Sequence, residues 1–210
     1  TASGDYVTFP LTEGSGSYTV KVFENVSGTS YAQAVSQTIQ VNIASDTTPF
    51  LYPNQFCNFN ADSNVVTVSD TITSGMTDPL KKVEAIYNYA VDNITYDNQK
   101  AATVQSGYLP NVDATLAQKK GICFDYAAVM TSMLRAQGIP TKLVIGYAGN
   151  VYHAWVSVYI QGQGWVDNII YFDGTDWKLM DPTFVSSGKK SAEVLNYVSN
   201  PANYRQKFCY

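Results

Sequence analysis

The fold of this 210-residue chain is constrained most strongly by one helical segment. Its two ends are marked in the sequence, and strand patterns follow it directly. The segment covers residues 119–142 and reads KKGICFDYAAVMTSMLRAQGIPTK. Apolar and small residues recur at helical spacing and predict a packed face: Ala127, Met130, Thr131 and Leu134. Gly138 is placed to end this helix, and Pro140 prevents its continuation. We therefore predict a helix with Cys123 near its N-terminus and Asp125 in its first turn, where a carboxylate complements the helix dipole.

Strand patterns follow the helix without interruption. They are TKLVIGYA, YHAWVSVYI, GWVDNIIYF and DWKLMDPT. The Asp-Gly pair in FDGTDW predicts a hairpin between the last two. Helices followed by antiparallel strands predict an α+β fold.

The earlier part of the chain divides into two regions. Two segments before residue 45, SYTVKVFE and SQTIQVNI, alternate as strands do and predict a partial sandwich or immunoglobulin-like element over residues 1–48. Residues 49–210 would then form a second domain. In it, Asp78 and Pro79 predict the start of a helix whose buried stripe is Val83, Ile86, Tyr87 and Ala90. The segment SNVVTVSDTIT is compatible with a strand or a short helix.

Composition excludes several classes of function. The net charge is −4, and the absence of basic clusters argues against nucleic acid binding. No apolar run is long enough to span a membrane. The many Ser, Thr, Asn and Tyr residues fit an extracytoplasmic protein, and a start without a signal peptide suggests a processed form or a fragment of a longer precursor.

Three cysteines and one histidine limit the possible sites further. In a secreted chain, three cysteines suggest a Cys57–Cys209 disulfide and a free Cys123, whereas three reduced thiols would fit the cytoplasm. One histidine and one available thiol cannot supply a zinc site, and no calcium loop or phosphate loop is present. We predict neither a metal nor a cofactor.

Cys123, His153 and Asp181 could form a nucleophilic triad. Cys123 stands at a helix N-terminus, where the dipole favours the thiolate. His153 in YHAW and Asp181 in LMDPT lie on predicted neighbouring strands. In that arrangement, Asp181 orients the imidazole and His153 accepts the thiol proton. The pattern alone leaves open that all three are packing or turn residues.

The motifs around these residues resemble the transglutaminase-like superfamily. The matching blocks begin at GICFDYAAVM, YHAWVSVY and GWVDNIIYF, and they occur in the family's order within residues 78–185. The resemblance implies a papain-like α+β core with Cys123, His153 and Asp181 as the catalytic residues. It also places Tyr108, in GYLPNVDATLAQKKGIC, where the family usually has a tryptophan that donates a hydrogen bond to the oxyanion.

The function implied is acyl transfer from a peptide or protein amide through a thioester. Hydrolysis is favoured over cross-linking, because no calcium or activation element is visible. The expected location is secreted or at the cell surface, with a substrate that could be associated with the cell wall. The alternative is a non-catalytic surface binding or adhesion module that retains the fold.

Overall fold

The computed structural model describes residues 7–166, 170–172, 177–179 and 200–210. Its N-terminal part is an antiparallel hairpin of β1 (Gly16–Ser27) and β2 (Ser30–Val41). The strands predicted there are confirmed. They form a two-stranded sheet with nearly all side chains exposed, and the sandwich predicted over residues 1–48 stays a prediction.

Five helices follow in the described chain, with two short strands between them. They are α1 (Asn64–Ile72), α2 (Pro79–Asn93), β3 (Thr95–Tyr96), α3 (Asn98–Thr103), α4 (Val112–Gln118), β4 (Lys120–Gly121) and α5 (Cys123–Ala136). The prediction for α2 is confirmed in detail: the Asp78 carboxylate accepts a hydrogen bond from the Leu80 amide at 2.9 Å, and all four residues of the predicted stripe are buried. The ambiguous segment is the helix α1.

A four-stranded sheet follows α5. It contains β5 (Thr141–Ala148), β6 (Val151–Ile160), β7 (Gly164–Val166) and the unpredicted strand β10 (Tyr204–Cys209), in the order β10-β5-β6-β7. Its pairings are antiparallel. A separate antiparallel pair, β8 (Ile170–Phe172) and β9 (Trp177–Leu179), matches the predicted hairpin, whose Asp-Gly turn lies outside the described residues. The α+β fold is confirmed.

The four-stranded sheet has two different faces. Alternate residues of β5 and β6 pack with α5 and α2 in the main core, among them Leu143, Ile145, Ala154 and Val156. We call this side the helix face. The intervening residues form the far face, which includes Lys142, Val144, His153 and Trp155. Each site residue on the sheet can therefore be assigned to one face by its register.

The predicted Cys57–Cys209 disulfide is wrong, because both thiols are free. Cys57 is buried in the main core on the helix face. Cys209 pairs with Val144, which places its side chain on the far face beside Lys142 and Thr12. The sheet separates the two sulfur atoms, so no bond can form between them.

Arg135 joins the regions that the disulfide was expected to join. Its guanidinium donates to the carbonyls of Tyr52, Thr141 and Tyr210 and to the Cys57 sulfur at 3.1 Å. These contacts use all five N–H groups of a buried arginine. They fix the C-terminal segment and the start of the core to the end of α5.

Among the described residues, no helix combines the length and the apolar character needed to cross a bilayer.

Candidate active site

Cys123 is the first residue of α5 and is partly exposed. The chain enters the helix through Gly121, whose position leaves no room for a side chain. A Cβ atom there would approach the Asp125 Cβ to 2.6 Å. The sequence Gly-Ile-Cys-Phe-Asp thus sets the local geometry, because the glycine allows Asp125 to fold back over the start of the helix. The thiol is held where backbone N–H groups and the helix dipole favour a negative charge.

Asp125 organises this helix start. Its carboxylate is fully buried and accepts a hydrogen bond from the Ile122 amide at 2.8 Å. Lys100 Nζ donates to the same oxygen at 2.7 Å, and the Tyr108 hydroxyl donates to the other oxygen at 2.5 Å. Lys100 Nζ also lies 2.6 Å from the Tyr108 hydroxyl oxygen. We call Lys100, Tyr108 and Asp125 the carboxylate cluster.

The carboxylate cluster shifts the protonation of two of its members. Burial tends to lower the pKa of Lys100, but its hydrogen bonds to Asp125 and Tyr108 and the charge of Asp125 outweigh this effect, and the pKa is raised. The pKa of Tyr108 is raised by burial first and then by its hydrogen bond to Asp125. The phenol and the ammonium are therefore both held in their protonated forms.

Tyr108 has its hydroxyl proton directed to Asp125. A hydroxyl group carries one proton, so donation to an oxyanion would require this hydrogen bond to be exchanged. The expected oxyanion role of Tyr108 stays a prediction.

His153 lies in β6, where it pairs with Gly146 of β5, and it is 5% exposed. Its ring stacks on Trp155 with centroids 6.4 Å apart, and register places both residues on the far face. The neighbouring Tyr152 lies on the helix face, beside Cys123. The pKa of Tyr152 is raised by partial burial first, and then by Tyr147 and Cys123. The start of β6 and the start of α5 therefore meet at the same end of the molecule.

Asp181 lies outside the described residues, and its predicted position beside His153 stays a prediction. The sequence reasoning identified Asp125 only as a residue that complements the helix dipole, and it did not identify Lys100. The signal available for Asp125 was the glycine two residues before Cys123, which leaves space for a carboxylate to turn back. No local pattern indicated Lys100.

Comparisons with known proteins relate part of the chain to one family. The model of the transglutaminase-like superfamily matches residues 66–168, which include Cys123 and His153. Residues 66–168 are therefore similar to the core of this superfamily. The matched stretch runs from α1 to the end of β7 and so includes both α5 and three strands of the sheet.

Individual relatives are more distant. The protein YebA of Bacillus subtilis, which has no assigned function, is 29% identical over 148 residues. This match covers 61% of the present chain and 19% of YebA, so the chain spans about a fifth of that relative.

Among solved structures, the chain is similar to a proposed cysteine protease from Cytophaga hutchinsonii. The identity is 18% and the TM-score is 0.49, with 85% of this chain and 69% of that chain covered. Another is the periplasmic domain of TgpA from Pseudomonas aeruginosa, at 21% identity and a TM-score of 0.48, with 77% and 56% covered.

Proposed function

We propose that the protein is a thiol acyl-transfer enzyme that acts on peptide or protein amides. The observation that carries this proposal is the position of Cys123, which is partly exposed at the N-terminus of α5 within a transglutaminase-like core. A cysteine acts as a nucleophile through its thiolate, which an adjacent base can generate. His153, at the adjoining end of β6, is the proposed proton acceptor, and Asp181 the proposed group that orients it.

The proposed reaction has two half-reactions. The Cys123 thiolate attacks the amide carbonyl carbon, the C–N bond breaks, and the protonated His153 supplies a proton to the leaving amine. The product is a thioester on Cys123. Water then yields a carboxylic acid, or a second amine yields a new amide, and either step returns the thiol. We favour hydrolysis, with an extracytoplasmic location and a substrate that could be associated with the cell wall.

Alkylation kinetics test the nucleophile. The parent for these measurements carries Cys209→Ser, because Cys209 is half-buried and could react, whereas Cys57 is fully buried. We expect rapid labelling by iodoacetamide at pH 6, and His153→Ala should shift labelling to the range of ordinary thiols, above about pH 8. Cys123→Ala is the control for residual labelling.

Equal rates at pH 6 for the parent and His153→Ala would contradict the proposal. That result would favour the alternative of a non-catalytic binding module. One observation is consistent with that alternative: register alone directs the His153 side chain to the far face, away from α5. The alkylation experiment distinguishes a histidine that reaches the thiol from one that is only packed against Trp155.

Product analysis separates hydrolysis from cross-linking. A peptide amide is incubated with the protein, either alone or together with a lysine-type amine. The masses of the products are measured by mass spectrometry. Free acid in both samples supports hydrolysis, and an amine adduct as the main product supports transamidation. Cys123→Ala should form neither product.

A further inference from the structure

A chain of aromatic rings begins beside the nucleophile. The Phe124 ring centroid lies 6.3 Å from that of Tyr108 and 6.2 Å from that of Phe56. Phe56 lies 4.0 Å from Tyr210, and Tyr210 lies 6.4 Å from Phe208. We call these five rings the aromatic band. It runs from the residue that follows Cys123 to the C-terminal strand β10.

Phe56, Phe124 and Tyr210 pack against the main core and are partly exposed, and the band leads from them to exposed apolar surface. Phe208 is 44% exposed, and Tyr152, which adjoins Cys123, is 56% exposed. Tyr152 also packs against Tyr147 with ring centroids 5.5 Å apart. Large aromatic side chains carry much of the binding energy at protein surfaces, since an apolar partner releases water from their faces. Because the band begins at the residue after Cys123 and Tyr152 interacts with Cys123, these rings favour a substrate with an apolar side chain.

Two cations border the same surface. The Arg205 guanidinium lies 4.9 Å from the Tyr147 ring centroid, and Lys207 Nζ lies 5.3 Å from that of Phe208. The ion pairs found in the described residues involve other side chains, Lys100 with Asp125 and Lys120 with Asp97. In a chain of net charge −4, this places local positive charge beside the band. Such charge attracts a carboxylate and repels a basic group.

The strand that carries both cations also suits an extended peptide. β10 stands at the end of the four-strand order, and residues 205–208 are exposed. A terminal strand can accept backbone hydrogen bonds from an added strand, which positions alternate side chains of the bound peptide.

We propose that the aromatic band, together with Tyr147 and Tyr152, binds the acyl-donor peptide. A large apolar side chain next to the reacting amide covers the rings, and an acidic side chain further along the peptide pairs with Arg205 and Lys207. This assignment rests on the proposed function, because it places the peptide against Cys123. It makes apolar peptides with an acidic neighbour the preferred substrate class.

Equilibrium binding tests the subsite without relying on catalysis. Cys123→Ala protein is titrated into four fluorescein-labelled peptides of equal length, which carry Phe or Ala beside a central glutamine and Glu or Lys three residues away. Fluorescence anisotropy gives the four dissociation constants. The Phe/Glu peptide should bind about tenfold more tightly than its Ala counterpart, as expected for an aromatic anchor. The Phe/Lys peptide should bind more weakly than the Phe/Glu peptide, and added salt should reduce the difference between these two.

Variants assign the preference to the surface. Tyr152→Ala and Phe208→Ala should each reduce the Phe-over-Ala preference, and Arg205→Glu should reverse the Glu-over-Lys preference. Tyr31→Ala, at an exposed tyrosine of the hairpin, is the matched control and should change neither. Circular dichroism identifies any variant that has lost its fold, and Tyr152, being exposed, provides a variant expected to fold.

Each result decides one question. Equal binding of the four peptides, no binding at millimolar concentrations, or an equal loss in Tyr31→Ala would overturn the subsite. Selective binding together with slow alkylation at pH 6 would support the subsite and contradict the proposed enzyme.

Discussion

At the scale of single residues, Asp125 is central to the candidate site because one carboxylate binds three other groups. Its buried carboxylate holds the helix N-terminus, the Lys100 ammonium and the Tyr108 hydroxyl at once. Removal of its charge would leave Lys100 without its ion-pair partner and would weaken the start of α5.

We predict that Asp125→Asn lowers the free energy of unfolding by about 3 kcal/mol, the range for breaking a buried pair. Urea denaturation measures the change. Lys120→Met is the control, because its ion pair with Asp97 is largely exposed and should matter much less. If both substitutions have equally small effects, the carboxylate cluster does not support the helix.

The raised pKa values of Tyr108 and Lys100 lead us to predict a loss of stability at alkaline pH. Both pKa values are raised in the folded protein, so the folded state binds these protons more tightly than the unfolded state. The stabilisation is complete below the unfolded pKa values of about 10 and declines as pH rises through the folded values. Tyr108→Phe removes one of these groups, and its stability should therefore fall less steeply above about pH 10.

The measurement is urea denaturation between pH 8 and 11 on both proteins. Tyr152 and Tyr210 also have raised pKa values, and they titrate in both proteins, so the difference between the curves isolates Tyr108 and its coupling to Lys100. Parallel curves would show that the raised pKa of Tyr108 does not contribute to the stability of the fold.

At the scale of elements, Arg135 determines how the C-terminal strand joins the rest of the fold. It binds carbonyls from three separate segments and one thiol, all around the end of α5. A lysine has three N–H donors in place of five and cannot form the planar fork that these acceptors require.

We predict that Arg135→Lys lowers the free energy of unfolding by at least about 2 kcal/mol, because buried acceptors lose their donors. Hydrogen exchange should accelerate at the Tyr210 amide, which bonds to the Leu143 carbonyl at 2.9 Å, before it accelerates in α2. Arg205→Lys, at an exposed position of β10, is the matched control. Unchanged exchange at Tyr210 would show that pairing with β5 alone holds the C-terminal segment in place.

Across the whole molecule, the hairpin and the core differ in how far their side chains are buried. The side chains of β1 and β2 are almost all exposed, whereas residues from Phe50 to Ile160 enclose the main core. Isolated two-stranded hairpins have little stability of their own in water. The hairpin therefore contributes little to the stability of the core.

A deletion tests this division. Gly16 and Val41 are paired at the open end of the hairpin, so a two-residue turn can replace residues 17–40. We expect the shortened chain to unfold within a few degrees of the full chain, by differential scanning calorimetry, and to label at Cys123 at the same rate. Loss of cooperative unfolding would place the hairpin within the same folding unit as the core and contradict a boundary near residue 48.

The sequence by itself determined the elements whose signals are local. The Asp78 cap and the apolar stripe specified α2, and Gly138 and Pro140 specified the end of α5 and the start of β5. Cys123 could be placed at a helix N-terminus for the same reason. Each of these features depends on residues within a few positions along the chain.

The tertiary structure decided features that depend on distant residues. The segment 64–72 becomes helical with its first amides bound to the carboxylate of Asp113, nearly fifty positions later. A register shift between Gln206 and Phe208 in β10 sets the face that Cys209 occupies. Because side chains alternate along a strand, one extra residue moves every later side chain to the other face, and no local pattern reports where that residue is inserted.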